Sequence, residues 1–358
     1  MRLVTVVGAR PQFVKAAPVS RALRGRHEEI VVHTGQHYDD EMSEALFRDL
    51  EMQRPDVNLE VGSGTHATMT ARIMERLEPV MLEREPDAIL VYGDTNSTLA
   101  TAAVGCKLEY PGGRRPWMAH VEAGLRAFNR TMPEERNRVA ADHLCDLLLA
   151  PTAAAVDNLE REGLAERTRL VGDVMVDSHA WAMERAGSAL PSEAAAADGY
   201  VLLTLHRPEN VDDPRRLAEL VACFAGDRTV LFPIHPRTRS VLDRSGIDLP
   251  ENVVRMDPVG YLAMVALEER ARVIATDSGG VQKEAYLSGV PCVTLRGETE
   301  WVETVAAGWN RLVGRSAADL RRVLDDGEFL RRDRPRPPIF GDAHAADRIV
   351  AALEAYAA

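Results

Sequence analysis

The most constraining feature of this sequence is a repeated order of three parts: a short apolar run, a polar loop and a helical pattern. Residues 88–92 are continuously apolar, and residues 93–96 are mostly polar and lead into a helical segment. The same order recurs at residues 117–122, 201–210 and 273–285. Apolar strands that alternate with helices are typical of parallel sheets covered on both faces. The pattern predicts a doubly wound α/β fold, with the working residues at the carboxyl ends of the strands.

The chain divides into two halves of this kind. Its 358 residues are enough for two domains with separate hydrophobic cores. Residues 186–199 have the Ala-, Ser- and Gly-containing composition of a linker, and both halves open with an apolar strand that leads into Arg-Pro. We predict two Rossmann-like domains, residues 1–177 and residues 178–341, with the terminal helix 342–358 packing back on the first.

Composition and charge exclude several classes of protein. The hydrophobic content of 46% is ordinary for a globular chain, and the formal net charge of −12 with scattered basic residues argues against a nucleic-acid partner. We expect no membrane partner, because no apolar run is long enough to cross a bilayer and no leader pattern opens the sequence. The four cysteines form no CxxC pair and are expected to be reduced core residues. We expect a cytoplasmic protein.

The segment 273–285 predicts a seat for an anion. A buried strand is followed by Ser278, Gly279 and Gly280 and then by a helix, whose first-turn N–H groups suit a phosphate. Glu284, one turn into that helix, is placed to accept hydrogen bonds from ribose hydroxyls. A nucleoside diphosphate fits this combination. An ordinary N-cap formed by Ser278 or Asp277 fits the same residues, so the segment alone leaves both interpretations open.

Three carboxylates follow three strands or open the next helix. Asp94 and Glu122 lie just past apolar runs, and Glu134 follows Pro133 at the start of a helical segment. Taken singly, Glu134 is explained by its favourable interaction with the helix dipole. Because the carboxyl ends of parallel strands share one edge of a sheet, we expect the three to lie together. Such a group predicts proton transfer.

Basic residues and histidines also follow predicted strands, as the carboxylates do. Arg10 and Lys15 follow the first strand, in a loop that lacks the GxGxxG fingerprint, so we expect no nicotinamide cofactor and predict neither a cofactor nor a metal. His206 and His235 end successive strands of the second half, each beside Arg and Pro. A single histidine there is more often structural, but two at successive strand ends favour a functional role.

Six motifs in this order resemble the non-hydrolysing UDP-N-acetylglucosamine 2-epimerase family. The resemblance runs from residue 2 to about residue 350. It implies a fold like that of GT-B glycosyltransferases, a UDP-sugar in the cleft between the halves, no cofactor, and a homodimer. The motifs are GARPQ at 8–12, GDTNST at 93–98, HVEAGLR at 120–126, PEE at 133–135, HRPEN at 206–210 and DSGGVQ at 277–282.

The resemblance also implies roles for individual residues. The family's catalytic positions fall on Asp94, Glu122, Glu134 and His206. Its contacts to the nucleotide sugar fall on Arg10, Lys15, Arg138, His235, Ser278, Gly279, Gly280 and Glu284. The implied reaction is the reversible epimerisation of UDP-N-acetylglucosamine to UDP-N-acetylmannosamine, by elimination of UDP to 2-acetamidoglucal and its re-addition.

Two departures leave alternatives open. Residues 128–133 and 300–304 look like relatives that act on UDP-2,3-diacetamido-glucuronate, so that substrate is an alternative. Residues 39–46 lack the glutamines of members that a second UDP-N-acetylglucosamine activates, which argues against such activation. A UDP-sugar glycosyltransferase and a non-catalytic UDP-sugar binding protein are further alternatives.

Overall fold

The computed structural model describes residues 1–35, 47–197 and 199–358, which form two compact units. Unit 1 contains Met1–Ala180 and Pro338–Ala358, and unit 2 contains Trp181–Pro337. Each unit has one parallel sheet with helices between its strands. The predicted α/β class with two Rossmann-like domains is therefore confirmed. Residues 39–46, on which the expectation about substrate activation rests, lie outside the described residues.

The sheet of unit 1 has the strand order β3-β2-β1-β4-β5-β6-β7, and every described pairing in it is parallel. The order reverses between β1 and β4, the position at which open α/β sheets bind their ligands. The strands are β1 Arg2–Val7, β2 Glu28–His33, β3 Val57–Asn58, β4 Ala88–Tyr92, β5 Trp117–Val121, β6 Leu147–Ala150 and β7 Thr168–Leu170. The helices are Arg10–Leu23, His66–Arg84, Asn96–Gly105, Pro133–Leu144, Ala153–Arg161 and Ala345–Ala357, and Val174–Ala186 continues into unit 2.

The sheet of unit 2 has the order β10-β9-β8-β11-β12-β13, again parallel, and reverses between β8 and β11. The strands are β8 Val201–Thr204, β9 Val230–Pro233, β10 Val253–Met256, β11 Val273–Thr276, β12 Cys292–Thr294 and β13 Asn310–Leu312. The helices are Ser192–Ala195, Pro208–Val211, Pro214–Ala222, Pro236–Ser245, Tyr261–Arg270, Gly279–Leu287, Val302–Ala306 and Ala317–Leu324.

The inner strands, such as β4, β8 and β11, are almost entirely apolar because both faces of each sheet are covered. In β11, Val273 and Ala275 belong to one hydrophobic core of unit 2, and Ile274 belongs to the core on the opposite face. Successive strand residues point to opposite faces, so a continuous apolar run fills both cores. The carboxyl ends of these strands are consequently the places where polar residues follow.

The terminal helix Ala345–Ala357 is fixed within unit 1. The carboxylate of Asp177 accepts hydrogen bonds from the backbone N–H groups of Ala345 and Ala346, at 3.2 and 2.9 Å. Near its other end, Glu354 forms ion pairs with Arg26 at 2.7 Å and His27 at 2.9 Å. A buried carboxylate at a helix N-terminus satisfies N–H groups that have no partner within the helix.

The first helix begins at Arg10, because proline is tolerated in the first turn and the side chain of Gln12 accepts hydrogen bonds from the N–H groups of Gly8 and Ala9. Two local predictions are wrong. The predicted linker 186–199 contains the short helix Ser192–Ala195. Cys106 is exposed, whereas the other three cysteines are buried, and all four are free thiols. Every helix in the described part of the chain is too short or too polar to cross a bilayer.

Candidate functional site

The carboxylates of unit 1 lie around two buried cations. Arg138, on the helix Pro133–Leu144, forms an ion pair with Asp94, which follows β4. Asn137 Nδ2 also donates to the backbone oxygen of Asp94 at 3.0 Å. Glu134 is half-buried one turn before Arg138 on the same helix. We call Lys15, Asp94, Glu122, Glu134 and Arg138 the carboxylate cluster.

Lys15, on the helix after β1, contacts Glu122 in the loop after β5. Its ammonium group forms an ion pair with Glu122, whose side chain is 6% exposed. The backbone of Gly93 packs against this pair, since a Cβ there would lie 3.1 Å from Lys15 Nζ and 3.3 Å from Glu122 Oε2. Glu122 itself has φ +73°, a left-handed conformation that is uncommon for a non-glycine residue and is often found at functional sites.

The charges of the cluster set the pKa of Lys15. Burial by itself would lower that pKa, but the negative charges of Glu122 and Asp94, with a smaller contribution from Asp173, raise it above its ordinary value. Lys15 therefore remains a cation at neutral pH and stays paired with Glu122.

Glu135 has a structural function that the sequence did not reveal. It is buried, and its two oxygens accept hydrogen bonds from the N–H groups of Ala127 and Phe128, each at 2.9 Å. It also pairs with Arg138 at 3.3 Å. Glu135 thus connects the loop after β5 to the helix that carries Glu134. The adjacent glutamates 134 and 135 are indistinguishable in the sequence, and only the direction of their side chains separates them.

Arg10 lies apart from these contacts. It is exposed in the first turn of the helix Arg10–Leu23, after the carboxyl end of β1. Within residues 1–35, 47–197 and 199–358, no group of three or more His, Cys, Asp or Glu side chains is arranged to hold a metal ion.

In unit 2, His206 is oriented by a buried aspartate. Asp277 is fully buried, and its carboxylate lies 3.3 Å from His206 Nδ1. It also accepts hydrogen bonds from the backbone N–H groups of His206 and Arg207, at 3.1 and 3.0 Å, and from Asn210 Nδ2 at 3.1 Å. Burial alone would raise the pKa of Asp277, but the hydrogen bond and charge of His206, with these other donors, lower it. An ionised Asp277 holds the Nδ1 proton of His206.

His235 stands beside His206. The two imidazole rings have centroids 5.7 Å apart and planes inclined by 37°. His235 is the residue before the helix Pro236–Ser245, and its Nδ1 accepts a hydrogen bond from the N–H group of Arg237 at 3.2 Å. Both histidines therefore follow neighbouring strands, β8 and β9, at one edge of the sheet.

The predicted anion seat lies at the start of the helix Gly279–Leu287. Ser278 occupies the N-cap position, but its hydroxyl makes no capping hydrogen bond, and Asp277 binds the His206 loop instead. The interpretation of these two residues as a side-chain cap is thus wrong. A Cβ on Gly279 would collide with Glu300, whereas one on Gly280 would have only Ser278 Oγ near it, at 3.9 Å. Glu284 is 8% exposed on the same helix.

Gly124 is required by the loop that carries Glu122. It has φ +83°, and a Cβ there would lie 2.9 Å from the carbonyl carbon of Ala155 and even closer to its oxygen. We expect Gly124→Ala to lower the free energy of unfolding by about 3 kcal/mol, because backbone strain and a backbone clash add. Gly163→Ala is the matched control: φ is +77° with no atom within 4 Å, so only the strain of about 1–2 kcal/mol applies. Chemical denaturation measures both, and equal losses would contradict the clash.

The comparison with known proteins settles the family. The model of the family described as UDP-N-acetylglucosamine 2-epimerase matches residues 21–354. The chain belongs to this family. It is 45% identical to the UDP-2,3-diacetamido-2,3-dideoxy-D-glucuronate 2-epimerase of Pseudomonas aeruginosa, over 98% of each chain. It is 40% identical to the UDP-N-acetylglucosamine 2-epimerase of Methanocaldococcus jannaschii, over 99% of each chain.

Solved structures agree with this assignment. The crystal structure of the Methanocaldococcus jannaschii enzyme in complex with UDP-GlcNAc and UDP has a TM-score of 0.90 at 39% identity, covering 99% of this chain and 100% of that one. A Streptomyces glycosyltransferase with a TM-score of 0.55 and 16% identity, matched over 99% of each chain, shares the fold alone. The predicted family, its GT-B-like fold and the isomerase class are confirmed.

Proposed function

We propose that this epimerase interconverts UDP-N-acetylglucosamine and UDP-N-acetylmannosamine by inverting carbon 2 of the sugar. The observation that carries the proposal is the carboxylate cluster, in which Asp94 and Glu122 each contact a buried cation after neighbouring strands. Relatives named as UDP-N-acetylglucosamine 2-epimerases at 40% and 35% identity support the substrate.

The chemistry explains why several carboxylates are needed. Carbon 2 of an N-acetylhexosamine is not next to a carbonyl carbon, so its proton is weakly acidic. We infer that the bond between carbon 1 and the phosphate oxygen breaks, UDP leaves with the electron pair, and a carboxylate removes the carbon-2 proton to give 2-acetamidoglucal. UDP then adds back to carbon 1 while carbon 2 is protonated on the other face. Carboxylates serve as bases and acids and also stabilise positive charge at carbon 1.

In this proposal the carboxylate cluster of unit 1 and the candidate site residues of unit 2 have different functions. Asp94, Glu122 and Glu134 exchange protons with carbon 2 and stabilise the developing cation. His206, whose Nδ1 faces Asp277, presents Nε2 for a proton exchanged with the leaving phosphate oxygen. The nucleotide is assigned to Ser278, Gly279, Gly280, Glu284 and His235, and Arg10 and Arg138 to further contacts with the nucleotide sugar.

Glu284 is the test of the nucleotide assignment. We expect Glu284→Ala to weaken UDP binding about tenfold, because the ribose hydroxyls lose a charged acceptor. Calorimetric titration with UDP measures the effect, and exposed Glu251→Ala in the same unit is the control. Unchanged affinity in Glu284→Ala would remove Glu284 from the ribose site.

UDP-2,3-diacetamido-glucuronate is a second candidate substrate. The relative from Pseudomonas aeruginosa named for that sugar is 45% identical over 98% of each chain, so it favours this substrate about as strongly as the other relatives favour UDP-N-acetylglucosamine. The two sugars differ at carbons 3 and 6 but undergo the same change at carbon 2. The reaction proposed for the carboxylate cluster is therefore the same for both.

Proton NMR in deuterium oxide decides between them. Each nucleotide sugar is incubated with the enzyme alone, and deuterium at carbon 2 together with the manno isomer marks the substrate. Because no acceptor is added, this turnover also excludes a glycosyltransferase. Binding of UDP without exchange in either sugar would overturn the epimerase proposal and favour a binding protein.

A further inference from the structure

His120 makes two short hydrogen bonds inside unit 1. It lies on β5, is fully buried, and is the first residue of the motif HVEAGLR. Its Nε2 is 2.7 Å from the backbone oxygen of Gly93, and its Nδ1 is 2.7 Å from Asp142 Oδ1. Both ring nitrogens are therefore engaged, one by the loop after β4 and the other by the helix Pro133–Leu144.

These partners determine where the protons of His120 are. A backbone carbonyl only accepts hydrogen bonds, so Nε2 must carry a proton. Asp142 is also fully buried, and its other oxygen takes donors from Arg126 Nη2 at 2.7 Å and from the N–H group of Gly124 at 3.1 Å. Burial would raise the pKa of Asp142, but His120 and Arg126 lower it below its ordinary value. The ring of His120 is therefore held between the carbonyl of Gly93 and the carboxylate of Asp142.

The contacts continue beyond Asp142. Arg126, which pairs with Asp142, is joined to Glu162 by two hydrogen bonds of 2.8 and 2.7 Å. Asp142 and Arg126 are buried, whereas the Glu162 side chain is 27% exposed. A buried ion is stable only when such partners satisfy it, and removing one partner leaves the next charge uncompensated. We call His120, Asp142 and Arg126, with the carbonyl of Gly93, the buried network.

The buried network touches each chain segment that carries a carboxylate of the cluster. Gly93 directly precedes Asp94. His120 and Gly124 lie two residues before and two residues after Glu122. Asp142 is on the helix whose first turn contains Glu134. The buried network thus connects three segments that are far apart in the sequence.

We propose that His120 is a positioning residue for the epimerisation, which fixes the loops of Asp94 and Glu122 against the helix of Glu134 through its two ring nitrogens. The inference rests on the proposed function of that cluster. His120 is buried behind the loops and contacts their backbone, so it acts through other residues. Displacements below an ångström in such groups alter rates strongly, since proton transfer depends on their geometry.

Two isosteric substitutions separate the two hydrogen bonds. In His120→Gln the amide nitrogen falls near the position of Nε2 and retains the bond to Gly93, whereas in His120→Asn it falls near Nδ1 and retains the bond to Asp142. We expect kcat to fall about tenfold in the first and about a hundredfold in the second, because the second releases the Asp94 loop. KM and the UDP affinity should change less than about threefold in both, since the nucleotide residues are in unit 2.

The control is His27→Gln, a histidine of unit 1 that pairs with Glu354, which should leave kcat unchanged. Unchanged kcat in both His120 variants, or parallel losses of kcat and UDP affinity, would overturn the positioning role. If the His120 variants do not fold, the wild-type enzyme still provides a test. Its nitrogen-15 histidine spectrum should contain one buried ring whose Nε2 proton is hydrogen-bonded and exchanges slowly with solvent.

A spectrum without such a slowly exchanging Nε2 proton would overturn the bond to Gly93 and with it the positioning role. Failure of the proposed function looks different, because the wild-type enzyme itself would then give no deuterium exchange at carbon 2. In that case the histidine spectrum still reports the contact between His120 and Gly93, and the positioning role falls with the reaction.

Discussion

Glu122→Gln will lower the turnover of the nucleotide sugar by about two to four orders of magnitude, the range typical for loss of a general acid or base. The substitution is nearly isosteric, and the amide oxygen can still accept a hydrogen bond from Lys15. What it removes is the negative charge and the ability to take a proton. The UDP affinity should stay within about twofold, because the residues assigned to the nucleotide belong to unit 2.

The conformation of Glu122 makes this position sensitive. The residue follows β5 with φ +73°, and its carboxylate is buried against Lys15. Its N–H group donates to the carbonyl of Leu149 at 3.1 Å, so the backbone is tied to the neighbouring strand β6. A side chain fixed in this way presents its carboxylate in one orientation.

Steady-state kinetics and calorimetric UDP titration on the same preparation test this prediction. Glu160→Gln is the control, because Glu160 is exposed in unit 1 and should change neither quantity. A similar loss of UDP affinity and turnover in Glu122→Gln would mean that Glu122 binds the nucleotide. Turnover above about a tenth of the wild-type value would assign the proton transfer to Asp94 or Glu134.

The strands could be predicted from the sequence because a continuous apolar run and the polar loop that follows it are local features of the chain. β4 at Ala88–Tyr92 and β6 at Leu147–Ala150 are buried at every position, and Asp94 follows the first of them as expected. The parallel arrangement then placed Asp94 and Glu122 at one edge of the sheet. The fold class and the strand ends could therefore be predicted without any knowledge of packing.

Side-chain direction could not be predicted in the same way. Glu134 and Glu135 are adjacent, yet only Glu135 is buried and binds the loop after β5. His120 and Asp142 are 22 residues apart and meet only because β5 and the helix Pro133–Leu144 pack together. Asp277 suggested a helix cap, but it orients His206 on another strand loop. These functions depend on long-range contacts, which have no signature in a single sequence.

Lys15→Met will reduce kcat/KM by about two orders of magnitude, because the ionised carboxylates lose a buried counter-charge. Methionine retains the length and most of the apolar contacts of the lysine stem but no charge. Without the ammonium group, Glu122 loses its ion-pair partner, and Asp94 and Asp173 lose a positive charge that interacts with theirs. A buried carboxylate without a partner is costly to keep ionised, which is the form that removes a proton.

The pH dependence separates this effect from simple loss of binding. The negative charges outweigh burial and raise the pKa of Lys15, so its ammonium group is present at neutral pH beside Glu122. In Lys15→Met the ionised form of Glu122 loses that neighbouring positive charge, so the acid limb of kcat/KM against pH should move to higher pH. Lys15 itself does not titrate near neutrality. Because its folded pKa is above the ordinary 10.5, its contribution to stability is complete below that pH and is lost as pH rises through the folded pKa.

Exposed Lys107→Met is the matched control and should leave the profile in place. A parallel drop of kcat/KM at every pH, with the acid limb unmoved, would show that Lys15 contributes by contacting the substrate and not by setting the charge of Glu122. A shifted acid limb in Lys15→Met that disappears in the double variant with Glu122→Gln would identify Glu122 as the group that titrates. The ion pair would then be the contact that keeps this buried carboxylate ionised.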